Sequence, residues 1–399
     1  MILLVDCNNF FVSCEQLFNP KLKGLAVCVL SNNDGCIVAR SNEAKDMGVP
    51  MGMPYFMAKK KFKNITYLSG NLSKYGAISK RIMTRLKTYT PAVETYSIDE
   101  AFLDTKGVER LHKMTPYELG NKIRHEIKEN IGIEVSIGVS DTKTLAKIAS
   151  EIAKYNTRKK IKTEFEGVFQ INKDNSDKIL SSTPIEEVWG IGKNLHKFFR
   201  KHNITNAKML IEQKEDFIQR NLGKKGVELF YELKGISKYP VIDYYEAPKS
   251  ISRTSSFSEF TTNCDYIKNE LNKHLHKICI RLRHHNLSAG SMSVMLRTKD
   301  FIVTAEKVNF ITPKNSEFEL YKTMHKMFEL LYKENIIYRS SGIIVSKLSK
   351  TEDIQLNLFE DEKAKKKQKL SNAWDKIEQK FGYGAITIGI KKQAEKKLI

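Results

Sequence analysis

Two carboxylates, Asp99 and Glu100, stand side by side in the stretch YSIDEAFLD (96–104), with Val93 and Tyr96 before them and Ala101, Phe102 and Leu103 after. Neighbouring side chains of a strand point to opposite faces, so an ordinary amphipathic strand here buries one of the two acids. A buried carboxylate without a partner is costly or takes up a proton. Two arrangements avoid that. Ser97 and Asp99 are turn-formers, and a tight hairpin turn leaves both acids in water. Alternatively, a metal ion held at the turn neutralises them.

A third acid, Asp6, ends the short apolar run MILLVDC (1–7). Three carboxylates meeting at one point repel unless a cation is present. Hard divalent cations, Mg²⁺ above all, take carboxylate oxygens and keep open positions for phosphates. Two such ions about 4 Å apart activate an attacking hydroxyl and stabilise a leaving pyrophosphate. Asp6, Asp99 and Glu100 supply oxygens for such a pair, with the Cys7 carbonyl as a further ligand.

That chemistry needs a fold that brings Asp6 to the 99–100 turn. After the first strand the sequence reads as a helix from Asn9 to Phe18, closed by Asn19-Pro20. A hairpin follows, LAVCVL (25–30) and CIVAR (36–40) around the turn SNNDG. The pattern from Ser73 to Thr90 is helical and stops before Pro91. The acid-bearing strand pair occupies 93–105, a helix starts near Pro116, and IEVSIGVS (133–140) is a strand. Leu145, Ile148, Ala149, Ile152 and Ala153 then repeat at helical spacing behind Asp141 or Thr142 as cap. Without the insert at 19–72 the order is β-α-β-β-α-β-α, the split arrangement of ferredoxin-like domains, with helices on one face of the sheet. In such a sheet the end of strand one lies beside the 99–100 hairpin.

The chain has 399 residues, enough for three or four domains, and 41% hydrophobic content supports packed cores. Its formal charge of +21 favours a polyanionic partner, most often nucleic acid. Cys7, Cys14, Cys28, Cys36, Cys264 and Cys279 form no CxxC pair and read as free thiols of a cytoplasmic protein. His274, His276, His284 and His285 make no zinc pattern. MILLVDCNNFF carries no basic leader, and no run of about 18 apolar residues exists, so no membrane span is expected.

Four motifs together carry a specific resemblance: VDCNNFFVSCE (5–15), VLSNNDGCIVARSNEAKDMGV (29–49), YSIDEAFLD (96–104) and GVSDTKTLAKIASEIAK (138–154). The chain resembles the Y-family translesion DNA polymerases, and within them the UmuC branch. The resemblance implies an α+β multidomain, right-hand polymerase. A ferredoxin-like palm comprises 1–18 and 73–166, and small fingers 19–72. A helical thumb with a helix-hairpin-helix spans 167–235, and an α/β little finger 245–350. It implies template-directed, low-fidelity DNA synthesis in SOS-type damage tolerance, with two Mg²⁺ ions on Asp6, Cys7, Asp99 and Glu100. Phe11 matches the steric gate, an aromatic ring that collides with a 2′-hydroxyl. Lys154 matches the triphosphate-binding lysine of the palm. Lys45 and Asn42 take positions where another branch has arginine and tyrosine. A lysine is a point charge without the guanidinium fork, so the fingers grip the triphosphate less firmly here.

Elsewhere the chain reads as a DNA and partner surface. In VWGIGKNL (188–195), Gly190, Gly192 and Lys193 resemble a hairpin that approaches a phosphate near a helix N-terminus. Arg253 lies in KSISRTSSF (249–257). Arg281 and Arg283 alternate with Ile280 and Leu282, so that one face packs and the other meets phosphates. QLNLF (355–359) resembles the sliding-clamp peptide, with Gln355 for a polar pocket and Leu356, Leu358 and Phe359 as apolar anchors. The rest of 351–369 reads as a charged linker, and 370–399 as a small C-terminal segment. The resemblance also implies a UmuD′ dimer and a RecA filament as partners. Two other classes stay open on sequence alone: a catalytically idle, clamp-tethered DNA-binding scaffold, and a two-metal repair nuclease.

Overall fold

The computed structural model describes residues 1–243, 247–353, 361–382 and 385–386. It divides into two compact units, Met1–Tyr245 and Glu246–Ile399.

In the first unit β1 (Ile2–Cys7) leads into α1 (Phe10–Phe18). A small sheet follows, built from β2 (Val27–Leu30), β3 (Ile37–Arg40) and β4 (Thr66–Ser69), with α2 (Asn42–Asp46) and α3 (Tyr55–Lys61). Its strand order is β3-β2-β4, β3 antiparallel and β4 parallel to β2. Next come α4 (Leu72–Leu86), β5 (Val93–Thr95), β6 (Glu100–Asp104), the single turn α5 (Glu109–His112) and α6 (Pro116–Ile131). A capping box between Thr115 and Glu118, with proline at the first turn, fixes where α6 starts. Then β7 (Val135–Ser140) runs into α7 (Lys143–Lys159), capped by the Thr142 hydroxyl accepting from the Leu145 amide.

The main sheet has the order β5-β6-β1-β7-β8, where β8 is Val168–Gln170. β8 pairs in parallel with β7, so this sheet runs on past residue 167, where the thumb was expected to begin. Strand alternation splits β1 between two packing layers. Leu3, Val5 and Cys7 join the core with Ile78, Ile82, Ile123 and Ile127 of α4 and α6. Ile2 and Leu4 pack with Phe102 and Ala146 of α7 on the other face. The expectation of helices on one face is therefore corrected: α4 and α6 cover one side and α7 the other. Gly138 permits the second contact. A Cβ there would stand 1.9 Å from the Ala146 carbonyl oxygen and 2.3 Å from the Ser150 amide.

The unit closes with α8 (Ser176–Ser182), α9 (Lys193–Lys201), α10 (Ala207–Ile211) and α11 (Glu215–Leu233). The fully buried Glu232 carboxylate accepts from the amides of Thr144, Lys238 and Tyr239. A carboxylate at the amino end of α7 favours that helix's dipole and ties α11 to it.

The second unit is an antiparallel sheet of order β11-β10-β12-β9, with β9 Ser250–Thr261, β10 Leu287–Thr298, β11 Val303–Lys314 and β12 Tyr338–Lys350. α12 (Cys264–His284) and α13 (Glu317–Leu331) share a core with Met292, Val294, Leu296, Ile343 and Val345 on one of its faces. A last helix, α14 (Asp361–Phe381), starts inside the segment read as a charged linker and corrects that reading.

Candidate active site

Asp6 and Glu100 are Cα partners across the antiparallel β1–β6 pair, so their side chains share a face, the one that α7 covers. The turn before Glu100 is held by the Ser97 hydroxyl, which donates to the Asp99 carboxylate at 2.5 Å and accepts from the Asp99 and Glu100 amides. The Cys7 amide donates to the Asp99 carbonyl at 2.9 Å, which pins the hairpin to the end of β1. The backbone thus brings residues 6, 99 and 100 to one corner of the sheet, and the hairpin reading of 99–100 holds.

Cations already stand there. Lys147, Glu151, Lys154 and Arg158 recur along α7 at helical spacing and form one stripe. Lys154 Nζ lies 2.5 Å from Asp6 Oδ2 and 2.9 Å from Glu151 Oε1, and Lys147 Nζ lies 2.7 Å from Glu100 Oε1. Burial raises the Asp6 pKa well above the carboxylate range, against the pull of Lys154, and a shared hydrogen bond with Glu100 adds to the rise. Glu100 moves the other way: its hydrogen bonds to Asp6 and Lys147 outweigh burial and lower it. Two ammonium groups, Lys147 and Lys154, supply positive charge at this corner.

All the donors here are hard carboxylate oxygens, and a buried acid that draws in a lysine suits a divalent cation. Among the described residues, no three acidic, histidine or cysteine side chains converge on one point as a finished cage. The lysine contacts account for that: Asp6 and Glu100 each turn to an ammonium. The Cys7 thiol packs in the hydrophobic core, so the side chain is not a ligand.

Beside the acids, Asn9 precedes α1 with a left-handed φ of 49°. The sequence marked Asn9 only as the start of this helix, and its side chain makes no capping hydrogen bond there. Its side chain donates to Asn42 Oδ1 at 3.0 Å and accepts from Lys45 Nζ at 2.6 Å, linking α1 to α2. Phe11, half-buried on the first turn, stacks on Tyr75 with ring centroids 4.5 Å apart. Tyr75 is locked in turn by a 2.5 Å hydrogen bond to Glu15. Lys45 sits among cations: burial chiefly, then Arg40, Arg158 and Lys154, lower its pKa. Such a concentration of positive charge suits an anion between α2 and α7.

The family model described as the impB/mucB/samB family matches residues 5–151, and that of its C-terminal domain matches 248–358. The chain is 30% identical to Protein UmuC of Salmonella typhimurium over 97% of its own length and 92% of that protein's. The chain belongs to the impB/mucB/samB family of Y-family DNA polymerases. It is also 30% identical to DNA polymerase IV of Dehalococcoides mccartyi over 97% of this chain and 96% of that one. Among solved structures, a Y-family DNA polymerase chimera of Dbh and Dpo4 matches with a TM-score of 0.71 at 26% identity, covering 89% of this chain and 99% of that one.

On this Y-family frame the loop 188–192 is braced against the acidic hairpin. The Trp189 indole donates to the Tyr96 hydroxyl at 3.1 Å and packs on Tyr96, Phe102 and Tyr239. Gly190 has a φ of 93°, a conformation that favours glycine, and Gly192 precedes α9 with Lys193 exposed on its first turn.

In the second unit two expectations are corrected. Residues 278–284 are helix, not an alternating strand, and Ile278, Cys279 and Leu282 face the core. Arg283 is buried and paired. It donates to Asp375 at 2.6 Å, to both Glu317 oxygens at 2.9 Å and to the Asn315 carbonyl. With its donors committed to protein, it is no phosphate ligand. Arg281 is exposed, but it lies on α12 and not on the sheet. Arg253 is half-buried on the helix-facing side of β9, with Ile251 and Phe257. The opposite face is a field of small hydroxyl groups. Ser252, Ile344, Ser293 and Lys307 form one cross-strand row, and Ser256, Ser340 and Arg297 another. The alternating serines and threonine at 250, 252, 254 and 256 were the sequence signal for it. The clamp-peptide residues Gln355, Leu356, Leu358 and Phe359 lie outside the described residues.

Proposed function

We propose that this Y-family polymerase joins a deoxynucleotide to a primer 3′-hydroxyl at the corner formed by Asp6, Asp99 and Glu100. Its family carries out DNA-directed DNA synthesis, and translesion synthesis in DNA damage tolerance is the activity that fits it. The observation that carries the site is the cross-strand pairing of Asp6 with Glu100, each on a lysine ammonium. Asp6, Asp99, Glu100 and the Cys7 carbonyl are the residues that would hold two Mg²⁺ ions. Such ions supply activation of the hydroxyl and charge stabilisation on the leaving pyrophosphate. Lys154 leaves Asp6 for the triphosphate, Lys45 and Asn42 approach it from α2, and Phe11 lies where a 2′-hydroxyl would clash.

In this reading the main sheet with its helices is the palm, 19–72 the fingers, the helices beyond β8 the thumb and the second unit the little finger. Gly190, Gly192 and Lys193 offer amides and a charge to a backbone phosphate. The hydroxyl face of β9, β10 and β12, with Lys307 and Arg297, takes another stretch of backbone. Hydroxyl and amide contacts of this kind position a duplex without reading its sequence, as a template copier requires. The peptide 355–359 binds the replicative clamp, and a UmuD′ dimer and a RecA filament remain the partners the UmuC likeness implies, in the cytoplasm. A polymerase family argues against both the nuclease and the idle scaffold. The test is primer extension by the full chain past an abasic template site, with and without Mg²⁺. Incorporation only with the metal supports the reading, and metal-independent incorporation overturns it.

A further inference from the structure

One cation of the α7 stripe has no part in the scheme so far. Arg158 stands one helical turn beyond Lys154, about 6 Å further along the axis from the acidic corner. Its guanidinium donates to the Asp46 carboxylate at the end of α2, next to Lys45. Both partners are solvent-accessible, with side chains 36% and 63% exposed. An exposed pair of this kind holds weakly and exchanges readily for a stronger anion. On α2 the fingers offer Lys45, a point charge, whereas a terminal phosphate is best held by a planar fork.

We propose that Arg158 is a specificity-determining ligand of the incoming triphosphate, held by Asp46 until it turns to the terminal phosphate. The geometry carries this. Asp6 marks the reacting end, Lys154 the next position outward, and Arg158 the one beyond, on the same face of one helix. The crowding of Lys45, Arg40, Lys154 and Arg158 leaves a positive excess there, and Arg40 donates one hydrogen bond to the Val49 carbonyl. Arg158 thereby restores from the palm side the fork that position 45 lacks. This inference rests on the proposed triphosphate site at Lys154 and deepens it.

The experiment measures the affinity of the full chain, on primer-template DNA, for a non-hydrolysable deoxynucleoside triphosphate analogue and for the matching diphosphate. Wild type is compared with R158A, R158K, D46N and K154A. R158A should weaken the triphosphate about tenfold, the worth of one charge-assisted hydrogen-bonded contact, and leave the diphosphate unchanged. R158K should recover only part, and D46N should bind the triphosphate at least as well as wild type. Equal weakening by R158A and D46N makes the pair a brace between α7 and α2 and overturns the proposal. An R158A variant that binds like wild type, or loses both nucleotides equally, overturns it as well. K154A separates the two levels. If it binds the triphosphate like wild type, the site reading itself fails; if it alone weakens binding, only the role of Arg158 does.

Discussion

Asp6 and Glu100 face each other across β1 and β6, and their carboxylates respond in opposite directions to that meeting. Asp6 is the more buried and keeps a proton more readily, while Glu100, hydrogen-bonded to Asp6 and Lys147, gives its proton up. A divalent ion binding here must therefore displace a proton as well as lysine ammonium groups. A raised carboxylate pKa makes the ionised form costly in the ion-free protein, and that cost appears as pH rises through the folded value. The stabilisation of the free protein by Mg²⁺ should consequently be larger at pH 8 than at pH 5.5. Thermal unfolding with and without the ion reads this. Equal shifts at both pH values would show that Asp6 is not a ligand.

Phe11 stacks on Tyr75, and Tyr75 is hydrogen-bonded to Glu15, so on the proposed reading the gate ring is held in place. Phe11→Ala should raise ribonucleotide incorporation tenfold or more, the scale of a lost steric rejection, with little change for deoxynucleotides. Single-nucleotide kinetics give both values. Unchanged discrimination returns Phe11 to the role of a core aromatic.

Gly138 lets α7 lie directly on β7, and α7 carries Lys147 to Glu100 and Lys154 to Asp6. Gly138→Ala drives a methyl into backbone, which cannot give way as a flexible side chain can. The loss should be about 1–3 kcal/mol or more in stability, with incorporation falling in the protein that still folds. Urea unfolding beside primer extension checks both, and a variant as stable and active as wild type refutes the close packing.

His276 lies between Glu317 of α13 and Glu378 of α14, at 2.8 and 2.9 Å, with Trp374 against its ring and Arg283 bridging Glu317 to Asp375. Those hydrogen bonds raise the His276 pKa against the effect of burial. A raised histidine pKa contributes stability that is complete below the unfolded value and lost as pH rises through the folded one. Glu317 is lowered, so its contribution fades only under strong acid and does not interfere near neutrality. Hydrogen exchange across 371–381, corrected for intrinsic rates, should show α14 less protected at pH 8.5 than at pH 6. His276→Gln should abolish the difference. Protection independent of pH would contradict the arrangement.

The acidic corner was legible because it depends on strand order. Asp6 ends one short strand, Asp99 and Glu100 open another, and a β-α-β-β-α-β run makes those ends neighbours. The helix start at Pro116 was legible for the same local reason, as was a cap at Asp141 or Thr142, which the structure resolves to Thr142. Arg283 was not. Ile280-Arg281-Leu282-Arg283 has a period of two over four residues, yet the apolar spacing of Ile267, Leu271, Leu275, Ile278 and Leu282 over a longer span is helical. Its carboxylate partners, Glu317 and Asp375, lie far along the chain on other helices, and no local pattern points to them. Trp189 was unreadable in the same way, because its partner Tyr96 belongs to the hairpin it braces.

On the proposed reading, Asp6, Asp99 and Glu100 form the metal-holding corner of the polymerase. Asp99→Asn tests it most directly, because Asn keeps the shape of the turn and the Ser97 contact while removing the charge. Single-turnover incorporation on primer-template DNA should fall by about a thousandfold or more, on the scale of removing one essential electrostatic group. DNA affinity in the same titration should change less than twofold, roughly the error expected for an untouched surface. Incorporation at the wild-type rate by Asp99→Asn would show that Asp99 holds no essential ion.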